Sequence, residues 1–266
     1  MNRSPIGIFD SGIGGLTVAR AIFEQLPGES TVYFGDTARV PYGPKSPETV
    51  RRYSLEILRW LLEQEVKAVV IACNTSTAHA LETLQAESPV PVIGVIEPGA
   101  AAAASVGGER PIGVIGTAGT IASNAYAKAI RRARPEARVE QRACPLFVPL
   151  VEEGWFEHPA GELIAREYLA PLTAAGVGAL VLGCTHYPLL KPLLQRVMGP
   201  EVKLIDSGQE TARVVASALR ERGLEGPNGA PATHRFVVSD DEARFRQVGV
   251  RFIGDRLARA EVVPLG

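Results

Sequence analysis

The sequence has few cysteines, almost no net charge and no long apolar run. Its 266 residues include three cysteines, an odd number without CxxC spacing, which argues against a disulfide framework and against a structural zinc site with four ligands. A net charge of −1 provides no basic surface for nucleic acid. No apolar run approaches the roughly 20 residues that a membrane span needs. We therefore expect no metal site, no nucleic-acid partner and no membrane partner.

The N-terminus carries no targeting signal. No basic region leads into an apolar stretch and a cleavage site, so we expect a cytoplasmic protein. The first predicted strand begins after only a few residues, so we also expect no regulatory site built from an N-terminal extension. A hydrophobic content of 46% is typical of a globular protein, and the length suits two small domains or one large domain.

Predicted strands and helices alternate along the chain, which favours an α/β fold of mostly parallel sheets covered by helices. The clearest helix follows Ser46, a good N-cap, with Pro47 at the first helical position. The apolar face of this helix consists of Val50, Tyr53, Ile57 and Leu61. The predicted strands are 6–9, 31–35, 68–72, 92–95, 112–115, 138–142, 180–182, 202–205 and 235–238.

Two pairs of segments repeat one pattern. VVIACNTSTAHAL (69–81) and LVLGCTHYPLL (180–190) each place a cysteine after an apolar run and before polar residues that suit a helix start. IGIFDSGIGGLTVA (6–19) is echoed by IGVIGTAGTIAS (112–123). A repeat of roughly a hundred residues predicts two similar lobes. Cys73 and Cys184 are then expected at carboxyl ends of buried strands beside helix N-termini, where two equivalent thiols suggest one reaction run in either direction.

Polar residues cluster at the predicted carboxyl ends of strands, where open parallel sheets bind ligands. Helix N-termini there carry free N–H groups and partial positive charge, so we expect a small carboxylate or phosphate as the ligand. The loop DSGIGGLT matches GxGxxG weakly, because the third glycine falls on Thr17, although Asp36 lies where a ribose-binding acid would. A tight turn explains these glycines better. The candidate residues are Asp10, Ser11, 36–42, Gly43, 73–75, Thr117, Thr120 and 184–186.

The thiols need a lowered pKa to act as bases at neutral pH. A free thiol has a pKa of about 8.5, which a helix N-terminus or a protonated histidine lowers. A single cysteine is more often a small buried hydrophobic residue than a catalyst. The polar context repeated after Cys73 and Cys184 reverses that interpretation, because packing alone does not require cap residues after both. Cys144 precedes Pro145 without that context and is interpreted as structural.

These motifs resemble those of the glutamate racemase family, cofactor-independent amino-acid racemases of bacterial cell-wall synthesis. The matching motifs span essentially the whole chain, in the order FDSGIGGLTV, DTARVPYGPKS, ACNTSTA, GTAGTIAS, LVEEGW, GCTHYPLL and IDSGQETA. CNT paired with GCTH resembles the wider aspartate/glutamate racemase superfamily, and DSGIGG with VPYG narrows the resemblance to the glutamate branch. The resemblance implies an isomerase that interconverts L- and D-glutamate without a cofactor and supplies D-glutamate for peptidoglycan.

The resemblance also implies catalytic roles. Cys73 and Cys184 resemble the two acid/base residues, which face the substrate α-carbon from opposite sides. In the family the thiol matching Cys73 acts on D-glutamate and the thiol matching Cys184 acts on L-glutamate. Asp10 and His186 resemble the polar partners of the thiols, with Asp10 nearer Cys73 and His186 nearer Cys184.

Further site residues carry over from the same resemblance. Glu152 resembles a third catalytic partner, although the adjacent Glu153 leaves the register open. The other histidines, His79, His158 and His234, are assigned no role. Taken alone, several of these polar residues would be interpreted as helix caps or turn residues. The implied substrate-binding residues are Asp10, Ser11, Tyr42, Gly43, Asn74, Thr75, Thr117, Thr120, Thr185 and His186.

The resemblance finally implies a domain division and an assembly. The first lobe is expected to comprise 1–98 plus 207–266 and the second 99–206, each a mostly parallel sheet flanked by helices, with pseudo-twofold symmetry between them. The Gly/Pro-rich segment 223–232 predicts an exposed loop within the returning part of the first lobe. Family members are commonly homodimers, so we expect a homodimer.

Three alternatives stay open from the sequence. The chain could be an aspartate racemase or a related decarboxylase of the same superfamily. It could be a thiol redox enzyme, which predicts a disulfide between Cys73 and Cys184, whereas racemisation predicts two reduced thiols separated by about 7 Å or more. It could also be a carboxylate-binding module, which would bind glutamate without exchanging its α-proton.

Overall fold

The computed structural model describes residues 3–106, 108–226 and 231–265, along which strands and helices alternate. The strands are β1 (Ile6–Asp10), β2 (Thr31–Gly35), β3 (Ala68–Ile71), β4 (Val92–Gly94), β5 (Ile112–Gly116), β6 (Val139–Ala143), β7 (Ala179–Gly183), β8 (Lys203–Asp206), β9 (His234–Val238) and β10 (Glu261–Val262). The helices are α1 (Leu16–Gln25), α2 (Pro47–Glu63), α3 (Asn74–Glu87), α4 (Ile96–Val106), α5 (Ala118–Ala122), α6 (Ala125–Ala133), α7 (Phe147–Glu152), α8 (Pro159–Ala174), α9 (Lys191–Met198), α10 (Ser207–Glu221) and α11 (Glu242–Ile253). Short 3₁₀ helices cover Thr37–Arg39, Tyr187–Leu190 and Gly254–Arg256.

The strands form two parallel sheets, which confirms the predicted α/β class. One sheet has the order β10-β9-β2-β1-β3-β4 and the other the order β6-β5-β7-β8, and every paired strand runs parallel to its neighbour. The order β2-β1-β3-β4 is repeated as β6-β5-β7-β8. The strands before Cys73 and Cys184, β3 and β7, therefore occupy equivalent places in the two sheets.

The predicted elements have a clear physical basis. Each of the nine predicted strands is present with ends within one residue of the prediction, while the two-residue β10 was not predicted. β1, β3, β5 and β7 are buried along their whole length, as expected of strands covered on both faces. α2 begins as predicted, because the Ser46 side chain accepts a hydrogen bond from Thr49 N and Pro47 takes the first helical position.

Helices α4 and α10 join the two sheets. The chain passes from the first sheet to the second through α4 and returns after β8 through α10, which packs against α1 and α4. The predicted division at 98 falls inside α4, and the division at 207 falls at the first residue of α10. Part of the predicted exposed loop, 227–230, lies outside the described residues. Within the described ranges, no helix is long and apolar enough to cross a membrane.

Candidate active site

Cys73 lies at the junction of β3 and α3. It is the N-cap of α3, and its Sγ accepts a hydrogen bond from Ser76 N at 3.4 Å. The Ser11 side chain also hydrogen-bonds the thiol, and Tyr42 packs in the same apolar cluster. This placement at a helix N-terminus is as predicted.

Burial dominates the acidity of this thiol. It raises the pKa of Cys73, the negative charge of Asp10 raises it further, and hydrogen bonds from Ser76 and Ser11 lower it, with a result of about 11. The predicted lowering of the pKa is therefore wrong for Cys73. The thiol does lie at a helix N-terminus, which favours the thiolate. In a thiol that is 5% exposed, however, desolvation and the neighbouring Asp10 carboxylate raise the pKa by more than the helix lowers it.

A titration checks this assignment. At about pH 8.5, where an ordinary thiol is half ionised, Cys73 is expected to stay protonated. The ultraviolet thiolate absorbance of the native chain minus that of a Cys73→Ser variant should therefore rise only towards pH 11. In denaturant the same difference should rise at the ordinary thiol pKa. A rise at that ordinary pKa in the folded chain would contradict the assignment.

Asp10 ends β1 and lies between the two halves of the site. Its Oδ2 accepts a hydrogen bond from Gly12 N at 3.0 Å, while its Oδ1 is buried without a hydrogen-bond partner among the described residues. Burial raises the pKa of Asp10, against the charge of His186 and the backbone N–H groups of the following loop. Asp10 thus acts electrostatically on both Cys73 and His186.

The segment after Cys184 differs from the prediction. Cys184 is followed by a turn and a 3₁₀ helix, and an α-helix, α9, begins only at Lys191. An α-helix capped by Cys184 would need a hydrogen bond from residue 188 to the Cys184 carbonyl, but Pro188 has no N–H. Tyr187 N makes the shorter-range bond to that carbonyl instead, at 3.1 Å. The expected α-helix N-terminus at this thiol is therefore wrong.

The Cys184 thiol contacts a histidine, which in turn contacts a glutamate. His186 Nδ1 lies 3.9 Å from Cys184 Sγ, and His186 Nε2 lies 3.0 Å from Glu152 Oε1. Burial opposes the charged imidazole, but hydrogen bonds and charge from Cys184 and Glu152 outweigh it and raise the pKa of His186 to about 10. These contacts favour the charged imidazole, in which both ring nitrogens are donors.

The two neighbouring glutamates make different contacts. Glu152 reaches His186, whereas Glu153 is exposed and contacts Arg244. Burial tends to raise the pKa of Glu152, but the hydrogen bond and charge of His186, followed by Arg244, outweigh it and lower that pKa. Glu152 is thus an ionised partner for the protonated imidazole.

Hydroxyl groups from both sheets meet beside Cys73. Thr75 Oγ1 lies 2.9 Å from Thr117 Oγ1 and 3.3 Å from Thr120 Oγ1, and the last two lie 3.0 Å apart. Gly119 N donates to the Gly43 carbonyl at 2.9 Å, which fixes the Tyr42–Gly43 loop against the β5–α5 junction. The predicted substrate-binding residues Gly43, Thr75, Thr117 and Thr120, which come from both sheets, are thereby brought together.

Asn74 and Thr185 complete the predicted set and show two contacts that the sequence did not predict. The buried Tyr126 hydroxyl donates to Asn74 Oδ1 at 2.7 Å, while Asn74 Nδ2 is buried without a partner among the described residues. Thr17 Oγ1 donates to the Thr185 carbonyl at 2.9 Å. No sequence pattern connects Tyr126 with Asn74, because the two belong to different sheets. Thr17 lies in the recognised motif but was interpreted only as a departure from GxGxxG.

Asp36 and two of the unassigned histidines have structural partners. The buried Asp36 carboxylate accepts from Arg39 Nε at 2.7 Å, from Ser239 Oγ at 2.8 Å and from the Tyr42 hydroxyl. These contacts occupy the carboxylate that a ribose would need, which agrees with the tight-turn interpretation of the glycine loop. His158 caps α8, and His234 stacks on Phe23 with ring centroids 3.9 Å apart.

The thiols themselves are buried and reduced. Cys73, Cys144 and Cys184 are all free cysteines, so the disulfide predicted by the redox alternative is not formed. A cleft of about 170 Å³ opens beside Glu152 and is lined in part by Gly12, Ile13 and Val40. A larger cavity of about 310 Å³ lies away from the thiols, around His79 and Glu97. Among the described residues, no group of three or more His, Cys, Asp or Glu side chains is placed to hold a metal ion.

Each of the two parallel sheets carries a buried cysteine at the end of an equivalent strand, and Asp10 acts on Cys73 and on His186, the neighbour of Cys184. Residues 6–215 match the Asp/Glu/Hydantoin racemase family. The chain belongs to this family, and racemases are isomerases.

Individual relatives agree with this assignment. The chain is 57% identical to a glutamate racemase of Geobacter metallireducens over 260 residues, covering 98% of this chain and 96% of that protein. It is similar to the crystal structure of a glutamate racemase isoform from Bacillus anthracis, with a TM-score of 0.94, 39% identity, and coverage of 100% and 98% of the two chains. It is also similar to a Francisella tularensis glutamate racemase in complex with D-glutamate, with a TM-score of 0.93, 39% identity, and coverage of 100% and 99%.

Proposed function

We propose that this chain interconverts L- and D-glutamate by a two-thiol acid/base mechanism. Two buried thiols at equivalent strand ends support it, because inversion by proton transfer needs an acid and a base on opposite faces of the α-carbon. One cysteine, as thiolate, takes the α-proton, and the electron pair of the broken Cα–H bond stays on carbon as a carbanion. The other cysteine, as thiol, donates a proton to the opposite face and becomes the thiolate. The reverse reaction exchanges these roles.

The partners of the thiols support a division of labour. Cys73 is the base for D-glutamate and Cys184 the base for L-glutamate. His186, protonated through its contacts with Cys184 and Glu152, stabilises a thiolate at Cys184. Asp10 has the opposite charge from His186 and disfavours a resting thiolate at Cys73. The two halves of the reaction are therefore chemically matched but electrostatically different.

The residues around the thiols are proposed to bind glutamate. Asn74 Nδ2 is a buried donor without a partner among the described residues, and the N-terminus of α3 presents backbone N–H groups beside Cys73. Such preorganised donors stabilise negative charge that develops on the substrate carboxylate when the α-proton leaves. The proposed binding residues are Asp10, Ser11, Tyr42, Gly43, Asn74, Thr75, Thr117, Thr120, Thr185 and His186.

Exchange in deuterium oxide tests the proposed reaction. L- and D-glutamate are incubated separately with the chain while optical rotation and α-deuterium are followed. We expect each enantiomer to lose its rotation towards zero and to gain deuterium at the α-carbon. A carboxylate-binding module would bind without exchange, and a decarboxylase would release carbon dioxide, so either outcome would contradict the proposal.

Substrate length provides a prediction of specificity. Ser11 and the Tyr42–Gly43 loop are proposed to hold the far carboxylate of glutamate, and the loop is fixed by the bond from Gly119 N to the Gly43 carbonyl. Aspartate is one methylene shorter, so kcat/KM for aspartate should be lower by at least about 100-fold, because a misplaced reacting centre loses near-attack geometry. Initial rates with both amino acids measure this. Comparable values would favour the aspartate racemase alternative.

Lobe boundaries, assembly and cellular role are part of the same proposal. We propose a first lobe of 1–98 plus 207–266 and a second lobe of 99–206, because the chain changes sheets through α4 and α10. We further propose that the protein is a cytoplasmic homodimer that supplies D-glutamate for peptidoglycan without a cofactor. Sedimentation of the purified chain tests the dimer, and rescue of a D-glutamate-requiring bacterium tests the cellular role.

A further inference from the structure

Helix α11 reaches from one sheet to the catalytic pair of the other. It follows β9 of the six-stranded sheet, whereas Glu152 ends α7 and His186 follows β7 of the four-stranded sheet. Three side chains of α11 nevertheless contact this pair. They are Arg244, Arg251 and Phe252.

Each contact fixes a different part of the pair. Arg244 Nη2 lies 3.6 Å from Glu152 Oε2 and 3.4 Å from Glu153 Oε1, so it bridges the two carboxylates, while Glu152 Oε1 contacts His186. Arg251 Nη1 donates to the Glu152 carbonyl. The Phe252 ring meets the His186 ring edge to face, with centroids 5.7 Å apart and an interplanar angle of 89°. Both carboxylate oxygens, the main chain and the imidazole plane are therefore held at once.

We propose that Arg244 is a positioning residue. It holds the Glu152 carboxylate in place, and that carboxylate in turn directs His186 towards Cys184. It touches neither thiol and acts through Glu152. The Glu152 carboxylate is partly exposed and lies beside the cleft, so without Arg244 its Oε2 could rotate into solvent. The helix end that carries Arg244 is itself fixed, because Asp241 Oδ1 accepts from Arg244 N at 2.9 Å.

The inference rests on the proposed function, and a double-mutant cycle tests it. Arg244→Gln should lower kcat/KM for glutamate about two- to fivefold, a modest loss because a half-exposed ion pair is weak. In a Glu152→Gln background the same change should have almost no effect, because the partner through which Arg244 acts is gone. Arg244→Lys should recover part of the loss. Arg246→Gln is the matched control, since Arg246 lies on the same helix and, among the described residues, its ion pair is with Glu242.

The direction of the reaction provides a second readout. Since the equilibrium between enantiomers is fixed, kcat/KM must fall equally in both directions. The α-deuterium isotope effect should change for L-glutamate, whose proton goes to Cys184, more than for D-glutamate. Equal losses from Arg244→Gln in the native and Glu152→Gln backgrounds, or an equal loss from Arg246→Gln, would overturn the inference.

A titration separates this inference from the proposed function. The charged groups around Glu152 are His186 from the β7 side, Arg244 and Arg251 from α11, Glu153 beside it, and Asp240 and Asp241, which line the same cleft. The glutamate side chains of the protein are labelled with carbon-13, and the Glu152 signal is assigned from the Glu152→Gln variant. Nuclear magnetic resonance should show a higher pKa of Glu152 in Arg244→Gln and an unchanged pKa of Glu152 in Arg246→Gln. An unchanged Glu152 pKa in Arg244→Gln overturns the inference even if the chain racemises glutamate. A raised pKa in a chain that does not racemise glutamate would refute the proposed function alone.

Discussion

Replacement of Cys73 or Cys184 by alanine is expected to abolish the interconversion of the glutamate enantiomers while leaving the fold intact. Each variant lacks the acid or the base on one face of the α-carbon, and a positioned acid/base group contributes roughly 10²–10⁴-fold to the rate. Because both groups are required in every turnover, we expect a loss of about 10³-fold or more. Circular dichroism of the substrate measures the initial rates, and that of the protein checks the fold.

Cys144→Ala is the matched control for these variants. Cys144 is as buried as the other two, but it packs in the main hydrophobic cluster and its Sγ donates to the Arg142 carbonyl, at 3.6 Å. Its replacement should leave racemisation near the native rate. Near-native activity of either Cys73→Ala or Cys184→Ala would rule out the two-thiol mechanism.

In each variant, the remaining thiol should still exchange the α-proton of one enantiomer with solvent. In deuterium oxide, Cys184→Ala should exchange the α-proton of D-glutamate without inversion, because Cys73 can remove that proton and return a deuteron to the same face. Cys73→Ala should do the same with L-glutamate. The opposite pattern would reverse the assignment of the two thiols to the two enantiomers.

Gly14→Ala should also impair catalysis strongly, without any change to a proposed catalytic side chain. A Cβ at this position would lie 2.3 Å from Thr185 Oγ1 and 2.4 Å from His186 Nδ1. The imidazole cannot yield easily, because Glu152 holds its other nitrogen at 3.0 Å. Displacement of a catalytic group by about 1 Å can cost on the order of 100-fold, so kcat should fall by about that factor. Initial rates in both directions measure the loss.

Gly12→Ala serves as the comparison in the same loop. A Cβ there would meet Val40 Cγ2 at 3.4 Å, an ordinary contact. Its kcat should fall far less than that of Gly14→Ala. Equal losses would indicate a general disturbance of the loop and would remove the argument that Gly14 is needed for the approach of His186.

The strands were predictable because their signal is local. Runs such as IGIFD and ALVLG are apolar on both faces, and helices cover both sides of parallel strands, so the run itself marks the element. The start of α2 was predictable for a similar reason, since Ser46 and Pro47 act within one turn. β10 was missed because two residues carry no periodicity.

The segment after Cys184 shows where local patterns mislead. Its polar residues resemble the helix start after Cys73, yet Pro188 removes one required hydrogen bond and the chain forms a 3₁₀ turn. The two cysteines therefore share a place in the sheet order but not the same local environment. The difference matters for function, because Cys73 is hydrogen-bonded by α3 while Cys184 is paired with His186.

Sequence by itself determined the positions of the strands, the two thiols, and the polar residues that follow them, because each depends on neighbours within a few positions. Only the tertiary structure decided the strand order and which groups distant in the chain meet: Glu152 with His186, Tyr126 with Asn74, and Arg244 with Glu152. It also decided that the pKa of Cys73 is raised, because burial and the distance to Asp10 depend on packing between elements far apart in the chain.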